Sequence, residues 1–146
     1  MSSNFDDVGR FHTKFGLPES SYPGPRSREL SDDVVEFRIE FLREELKEFI
    51  EGCDENDPVK MADALIDIVY VAMGTAHLMG LPWQHLWDEV HRANMTKQRA
   101  SSDGSDSKRS SPHDVVKPTG WRPPAIAAIL RAWGWRNVRD EYDESS

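Results

Sequence analysis

Residues 58–79, PVKMADALIDIVYVAMGTAHLM, decide how this chain folds. Asp57-Pro58 supplies a cap followed by proline in the first helical turn, and Gly80-Leu81-Pro82 supplies a stop. The segment is apolar on nearly every side, which predicts a helix buried among other helices. Yet Asp63 and Asp67 stand one turn apart on the same side of it. A carboxylate in such surroundings costs several kcal/mol unless it meets a cation or strong donors. Beyond Lys60 the helix has no arginine or lysine to serve. The least charged run, Ile68 to Trp83, follows directly on Asp67 and holds His77, two glycines and a proline. It reads as core, not as a membrane span.

Upstream, Ser31 predicts the start of a long helix reaching about Gly52, with Asp32 and Asp33 placed to favour its dipole. Its core stripe is Val35, Leu42, Leu46 and Phe49, flanked by Val34, Phe41 and Ile50. Glu44, Glu45 and Glu48 form E-E-x-x-E beside that stripe, within an arc of roughly 100°. On an isolated helix these acids would be a solvated face. Here the short linker from Cys53 to Asp57 makes the two helices antiparallel neighbours. Glu44, Glu45 and Glu48 then lie at about the height of Asp63 and Asp67. Up to five carboxylates can converge, a pool of charge that needs a metal ion. Hard oxygen ligands select magnesium, with manganese as a substitute.

Working outward, Asn4 is the expected cap of a short helix to about Phe15, with Val8, Phe11 and Phe15 inward and residues 18–30 a loop. A fourth helix is expected from Pro82 to about Gln98, with Trp83, Leu86, Trp87 and Val90 inward. The organisation is therefore a helical catalytic core over 1–98, a mobile Ser-rich loop over 99–116, and a loop with a short helix packing on the core over 117–135. An acidic tail follows over 136–146. With no strand-period alternation, the fold class is all-α, an antiparallel helical bundle of four to five helices. The apolar perimeter exceeds what one short chain can cover, so a homodimer is expected to complete it.

Charge narrows the function. The 146 residues carry 18 Lys and Arg against 26 Asp and Glu, a net charge of −8. Residues 29–57 hold twelve acids against three bases, whereas ten bases against three acids lie between Arg92 and Arg139. A binder of nucleic acid polymers would lack the acidic block. The pattern suits a divalent cation with a polyanionic small molecule, and equally a salt-bridged surface. The single cysteine, Cys53, excludes a disulfide framework and a cysteine-built zinc site. The start, MSSNFDD, lacks the features of a secretory signal, so a cytoplasmic protein is expected, with no membrane partner.

His91, Asn94 and Lys97 recur at a spacing of three on the fourth helix, where they can complete a phosphate site. Each also has a plain reading: His91 as a surface or packed histidine, Lys97 as a surface lysine. Asn94 is a poor helix former in mid-helix, which points to a hydrogen-bonding duty. Lys117 and Trp121, flanking a glycine turn, can close over a ligand as charge and stacking ring. Trp121 can equally be a plug packed on the bundle. Tyr70 and His77 follow the Asp63–Asp67 side and could be core residues alone.

Four stretches carry a family resemblance: F-R-x-x-F-L-x-E-E-L-x-E (Phe37 to Glu48), D-A-L-x-D-x-V-Y-V-A-x-G-T-A (Asp63 to Ala76), E-V-H-R-A-N-M-x-K (Glu89 to Lys97) and K-P-x-G-W-x-P-P (Lys117 to Pro124). In this order, from about Phe5 to Ile126, the chain resembles the MazG-like all-α nucleoside triphosphate pyrophosphohydrolases, a group that includes phosphoribosyl-ATP pyrophosphohydrolase. The resemblance implies Glu45, Glu48 and Asp67 as magnesium ligands, with Glu44 and Asp63 as further ligands or base. It implies that Asn94 and Lys97 touch a (d)NTP, which is split by water to (d)NMP and pyrophosphate. It also implies a homodimer, sometimes doubled to a tetramer. Many relatives carry E-x-x-D on the third helix, whereas here residue 64 is Ala and the pattern is Asp63-x-x-x-Asp67.

On that basis Glu44 or Glu48 is the expected proton acceptor, while Lys97 and Lys117, with Arg92 or Arg122 as further candidates, hold the triphosphate. Two other classes fit parts of the sequence. One is a non-catalytic helical interaction module of the same fold. The other is a di-iron carboxylate bundle, echoed by Asp88-x-x-His91 but lacking the second acid-x-x-His element such sites need.

Overall fold

The first three helices begin where a short polar side chain satisfies free backbone N–H groups. The structure, a computed structural model, describes residues 1–17, 30–136, 138 and 139. Helix α1 spans Asn4–Lys14, and its cap is Ser3 in a reciprocal capping box with Asp6, one residue before the expected Asn4. The Ser3 backbone N–H and hydroxyl hold the Asp6 carboxyl below its usual range. Helix α2 spans Asp32–Asp54 and starts at Ser31 as expected. Asp57 accepts from the N–H groups of Val59 and Lys60 to open α3, Pro58–Met79, and Gly80 closes it at φ +65°. Helix α4 spans Trp83–Met95 and helix α5 Ile126–Ala132. The loop expected over 18–30 lies outside the described residues except for Leu30, as does the acidic tail from Asp140.

The described chain is thus mostly helical, with five helices and one small sheet that periodicity did not predict. Strands β1, Gln98–Arg99, and β2, Val115–Val116, pair antiparallel with Gln98 opposite Val116. Two residues are too few to show an alternation. They close the Ser-rich stretch read from sequence as mobile, whose backbone and side chains are extensively bonded. Asp106 accepts from the Ser101 N–H and hydroxyl, and Asp103 from the Ser105 N–H. The buried Ser107 hydroxyl donates to Asp114 at 2.7 Å, and Arg109 reaches the same carboxylate at 3.0 Å.

The chain divides into two compact units, Met1–Leu81 with Trp133–Arg136, and one built on Pro82–Ala132. In the first, α2 and α3 lie antiparallel along their length. Near the loop, a Cβ on Gly52 would stand 3.0 Å from Met61, so glycine lets the two backbones close. At the far end, Arg38 Nε donates to Thr75 Oγ1 at 3.0 Å and Nη2 to the Val71 carbonyl at 2.8 Å. Helix α1 is held by aromatic contacts: Phe5 stacks on His77 at 3.8 Å while His77 Nε2 meets the Phe5 carbonyl at 2.8 Å. Phe11 meets Tyr70 edge-on. Tyr70 and His77 are packing residues in this structure.

The buried sides differ from those expected. On α2 the buried positions are Arg38, Glu45 and Gly52, seven residues apart, while Val35 and Leu46 of the expected core stripe and Ile50 flanking it are exposed. On α1, Val8 is buried but Phe11 and Phe15 are exposed, and His12 takes the inward place. On α4, Trp87 and Val90 are exposed and Ala93 is buried. Nor is α3 buried all round: it sinks Ala64, Val71, Gly74, Ala76 and Leu78 and leaves Val59, Leu65, Ile66 and Val69 in solvent. Periodicity finds an apolar side but cannot tell the chain's own core from a surface that remains open. By length and composition α3 could cross a membrane; it also carries Asp63 and Asp67 and runs along a charged helix.

Gly74 marks the tightest point of the first unit. A Cβ there would lie 2.6 Å from Arg38 Nη2 and 2.7 Å from His12 Nε2, both on buried side chains with little room to retreat. Gly74→Ala should therefore lose about 1–3 kcal/mol to overpacking, outweighing the ~1 kcal/mol by which a helix favours alanine. Urea unfolding followed by circular dichroism checks the sign.

Candidate functional site

The anchors at Arg38 and Gly52 set the height of the acids between them. Glu44, Glu45 and Glu48 lie between these residues on α2, and Asp63 and Asp67 lie between Met61 and Val71 on α3. Glu45 is buried at 7 % exposure, and its Oε2 has no hydrogen-bond partner among the described residues. Burial pushes its carboxyl above the usual range, and the charges of Asp67, Glu48, Glu44 and Asp63 push the same way. The other four predicted acids thus all act on Glu45.

Their side chains are not drawn into a closed set. Glu48 and Asp67 are half-buried, while Glu44 and Asp63 are exposed. Among the described residues no three His, Cys, Asp or Glu side chains form a ready metal cluster. The burial argument also moves from one helix to the other. Sequence reasoning placed the costly carboxylates at Asp63 and Asp67, but Asp63 faces solvent and the acid held out of water is Glu45. The cause is the seam: position 45 shares the inward side of α2 with Arg38 and Gly52.

A buried oxygen with no donor, surrounded by four further acids, is a donor set suited to a hard divalent cation. Among the described residues no guanidinium fills the role. Arg38, the buried cation of this unit, uses its donors on Thr75 and Val71. Burial lowers the Arg38 pKa. Sequence reasoning gave Arg38 no role, although an arginine among apolar neighbours in F-R-x-x-F was the available signal.

The second unit holds the other predicted residues. Lys97 Nζ lies 5.5 Å and Lys117 Nζ 4.8 Å from the centroid of the Trp121 ring. The Trp121 indole N–H donates to the Ala93 carbonyl at 2.9 Å. Lys97, Lys117 and Trp121 are therefore brought together. His91 and Asn94 are exposed on α4, and the Asn94 carbonyl accepts from the Lys97 backbone N–H at 3.1 Å. Asp88 accepts from Gln84 at 2.7 Å and is exposed, as is His91, the two residues of the di-iron reading.

Sequence reasoning missed the pair that holds this arrangement. Arg92 donates through Nε to Glu89 Oε2 at 3.0 Å and through Nη2 to Oε1 at 2.8 Å. Glu89 Oε1 also accepts from the Ala125 N–H at 2.9 Å, just ahead of α5. The Arg92 bonds first, then the Ala125 N–H, bring the Glu89 carboxyl down to about 2. With its folded pKa depressed, the stabilisation is present above the ordinary carboxylate range and is lost progressively as pH falls from that range through about 2.

Replacing Glu45 by Gln should stabilise the metal-free protein by about 1–3 kcal/mol, because it removes a buried charge lacking a partner. The gain grows as pH rises above the usual carboxylate pKa, where the raised pKa of Glu45 makes ionisation costly in the folded state. Magnesium should raise the melting temperature of the wild type and leave that of Glu45→Gln nearly unmoved. Calorimetry with and without the ion reads both effects.

Comparison with known proteins places the chain. Residues 8–94 match the family described as phosphoribosyl-ATP pyrophosphohydrolase. The chain is also similar, at 27 % identity over 84 residues, to "Uncharacterized protein L479" of Acanthamoeba polyphaga mimivirus. That match covers 58 % of this chain and 34 % of the viral protein, so the chain spans about a third of its relative. The acids on α2 and α3 and most of α4 fall inside the family match, and the chain belongs to the phosphoribosyl-ATP pyrophosphohydrolase family.

Proposed function

We propose that this protein is a magnesium-dependent nucleoside triphosphate pyrophosphohydrolase that converts (d)NTP and water to (d)NMP and pyrophosphate, serving control or cleaning of the nucleotide pool. The observation that carries the reading is the buried Glu45 oxygen without a donor, set among four other acids. Membership of a pyrophosphohydrolase family supports it.

Glu45, Glu48 and Asp67 would hold the ion, with Glu44 and Asp63 turning inward as further ligands. Magnesium supplies charge neutralisation at the phosphates and acidifies water, a role manganese can also fill. Glu44 or Glu48 takes the proton of the attacking water. The water oxygen bonds to the α-phosphorus, the α–β anhydride bond breaks, and pyrophosphate leaves. Lys97 and Lys117 hold the phosphate chain, while His91 and Asn94 offer hydrogen bonds along α4. A cytoplasmic setting, where (d)NTPs are found, belongs to the same reading.

A non-catalytic interaction module is favoured by one observation, the exposure of Glu44 and Asp63. Incubation with each (d)NTP and magnesium, followed by measurement of pyrophosphate, separates the two. Glu48→Gln should lower turnover by at least about a hundredfold, the lower end of the range for a positioned acid–base group, with the helical circular dichroism intact. Wild-type activity in that variant removes the mechanism.

The open apolar stripes suit a second copy of the chain. Leu46 is 52 % exposed and Ile50 51 % on α2, and Ile66 is 67 % exposed on α3. A homodimer, or a dimer of dimers, would remove them from water, and sites could then borrow residues from a neighbour. Light scattering should give at least twice the 16.7 kDa chain mass, and Ile66→Asp should shift it toward one chain. A wild-type mass equal to one chain overturns the assembly.

A further inference from the structure

Two of the sequence motifs, E-V-H-R-A-N-M-x-K and K-P-x-G-W-x-P-P, meet in space as one construction. Helix α4 presents Glu89 and, one turn on, Arg92 and Ala93, and Lys97 follows just past its C-terminal end. The returning segment meets each of them. Ala125 N–H bonds Glu89, and the Pro123 carbonyl lies 3.4 Å from Arg92 Nη2. The Trp121 N–H bonds the Ala93 carbonyl, and its ring lies against Lys97. Lys117, at the start of the same segment, reaches that ring as well.

Two ammonium groups drawn to one indole repel each other. The electron-rich ring offsets part of that repulsion. An anion beside Lys97 would offset more of it. No carboxylate among the described residues forms an ion pair with Lys97. The indole is also tied at its N–H and flanked by cations, which suits spacing charges better than receiving a base by stacking.

We propose that Glu89 and Arg92 are positioning residues that clamp the 121–125 segment to α4, so that Trp121 spaces Lys97 and Lys117 as a two-ammonium grip for the phosphate chain of the substrate. The identity of that ligand rests on the pyrophosphohydrolase reading. The clamp itself rests on the bonds just described. Since Arg92 is committed to Glu89 and Pro123, it orients the grip without contacting phosphate.

The test uses the full chain labelled with 5-fluorotryptophan, its Trp121 resonance assigned by its loss in Trp121→Phe. Inorganic tripolyphosphate should move that resonance, whereas a nucleoside without phosphate should leave it in place. Glu89→Ala should shift it before any ligand is added and weaken tripolyphosphate binding by about tenfold or more, as loss of a charge-assisted bond implies. Glu89→Gln keeps an acceptor for the Ala125 N–H and should fall between. If Glu89→Ala does not fold, Arg92→Lys, which cannot reproduce the two-pronged pair, should show the same weakening. In turnover, Glu89→Ala should raise KM more than it lowers kcat. A folded Glu89→Ala with unchanged resonance and affinity overturns the proposal, as does a Trp121 signal that follows the nucleoside and ignores tripolyphosphate. Tripolyphosphate binding in a chain that splits no (d)NTP removes the hydrolase reading and leaves the clamp standing.

Discussion

A single carboxylate held out of water at a helix seam organises the first unit. Arg38, Glu45 and Gly52 recur every seven residues along the inward side of α2, and each answers a different demand of close packing. Gly52 removes bulk so that α3 can approach. Arg38 finds acceptors across the seam in Thr75 and the Val71 carbonyl. Among the described residues Glu45 Oε2 finds no donor, and the charges of four other acids press on its carboxyl. A fold optimised for stability alone would place an apolar side chain there, since an ionised group buried without a partner opposes folding. Retaining an acid at that position makes sense when a cation completes the unit.

The second unit solves the opposite problem, the arrangement of positive charge. Lys97 and Lys117 stand over one tryptophan ring, and Lys97 forms no ion pair among the described residues. Neutralisation is kept at a distance, where Glu89 takes Arg92 and the end of the returning segment. The strong depression of the Glu89 carboxyl means that this pair stays ionised at any pH where the chain would work. The grip therefore has no acid-sensitive fastening near neutrality.

Exposed Val59, Ile66 and Val69 on α3, and Leu46 and Ile50 on α2, show how little of the apolar content one chain buries. The described core is made largely of small residues, Ala64, Gly74 and Ala76 among them, which permit close helix contact but remove modest apolar area from water. Much of the hydrophobic driving force thus remains unused in the isolated chain.

Local signals were enough for the helices and for the order of the chemistry along the chain. Ser31, Asp57-Pro58 and Gly80 mark α2 and α3 because capping and left-handed closure depend on a few adjacent residues. The acids of E-E-x-x-E and Asp63–Asp67 were legible as neighbours because a short linker leaves two long helices no choice but to turn back. Which acid is buried was not legible, since that depends on the rotation of α2 about its axis, set by Arg38 and Gly52 against the partner helix. The strand pair at Gln98 and Val116, the clamp from Glu89 to Ala125 and the lysines around Trp121 also required tertiary contact. Periodicity records which residues share a side of a helix, and only packing decides what that side will meet.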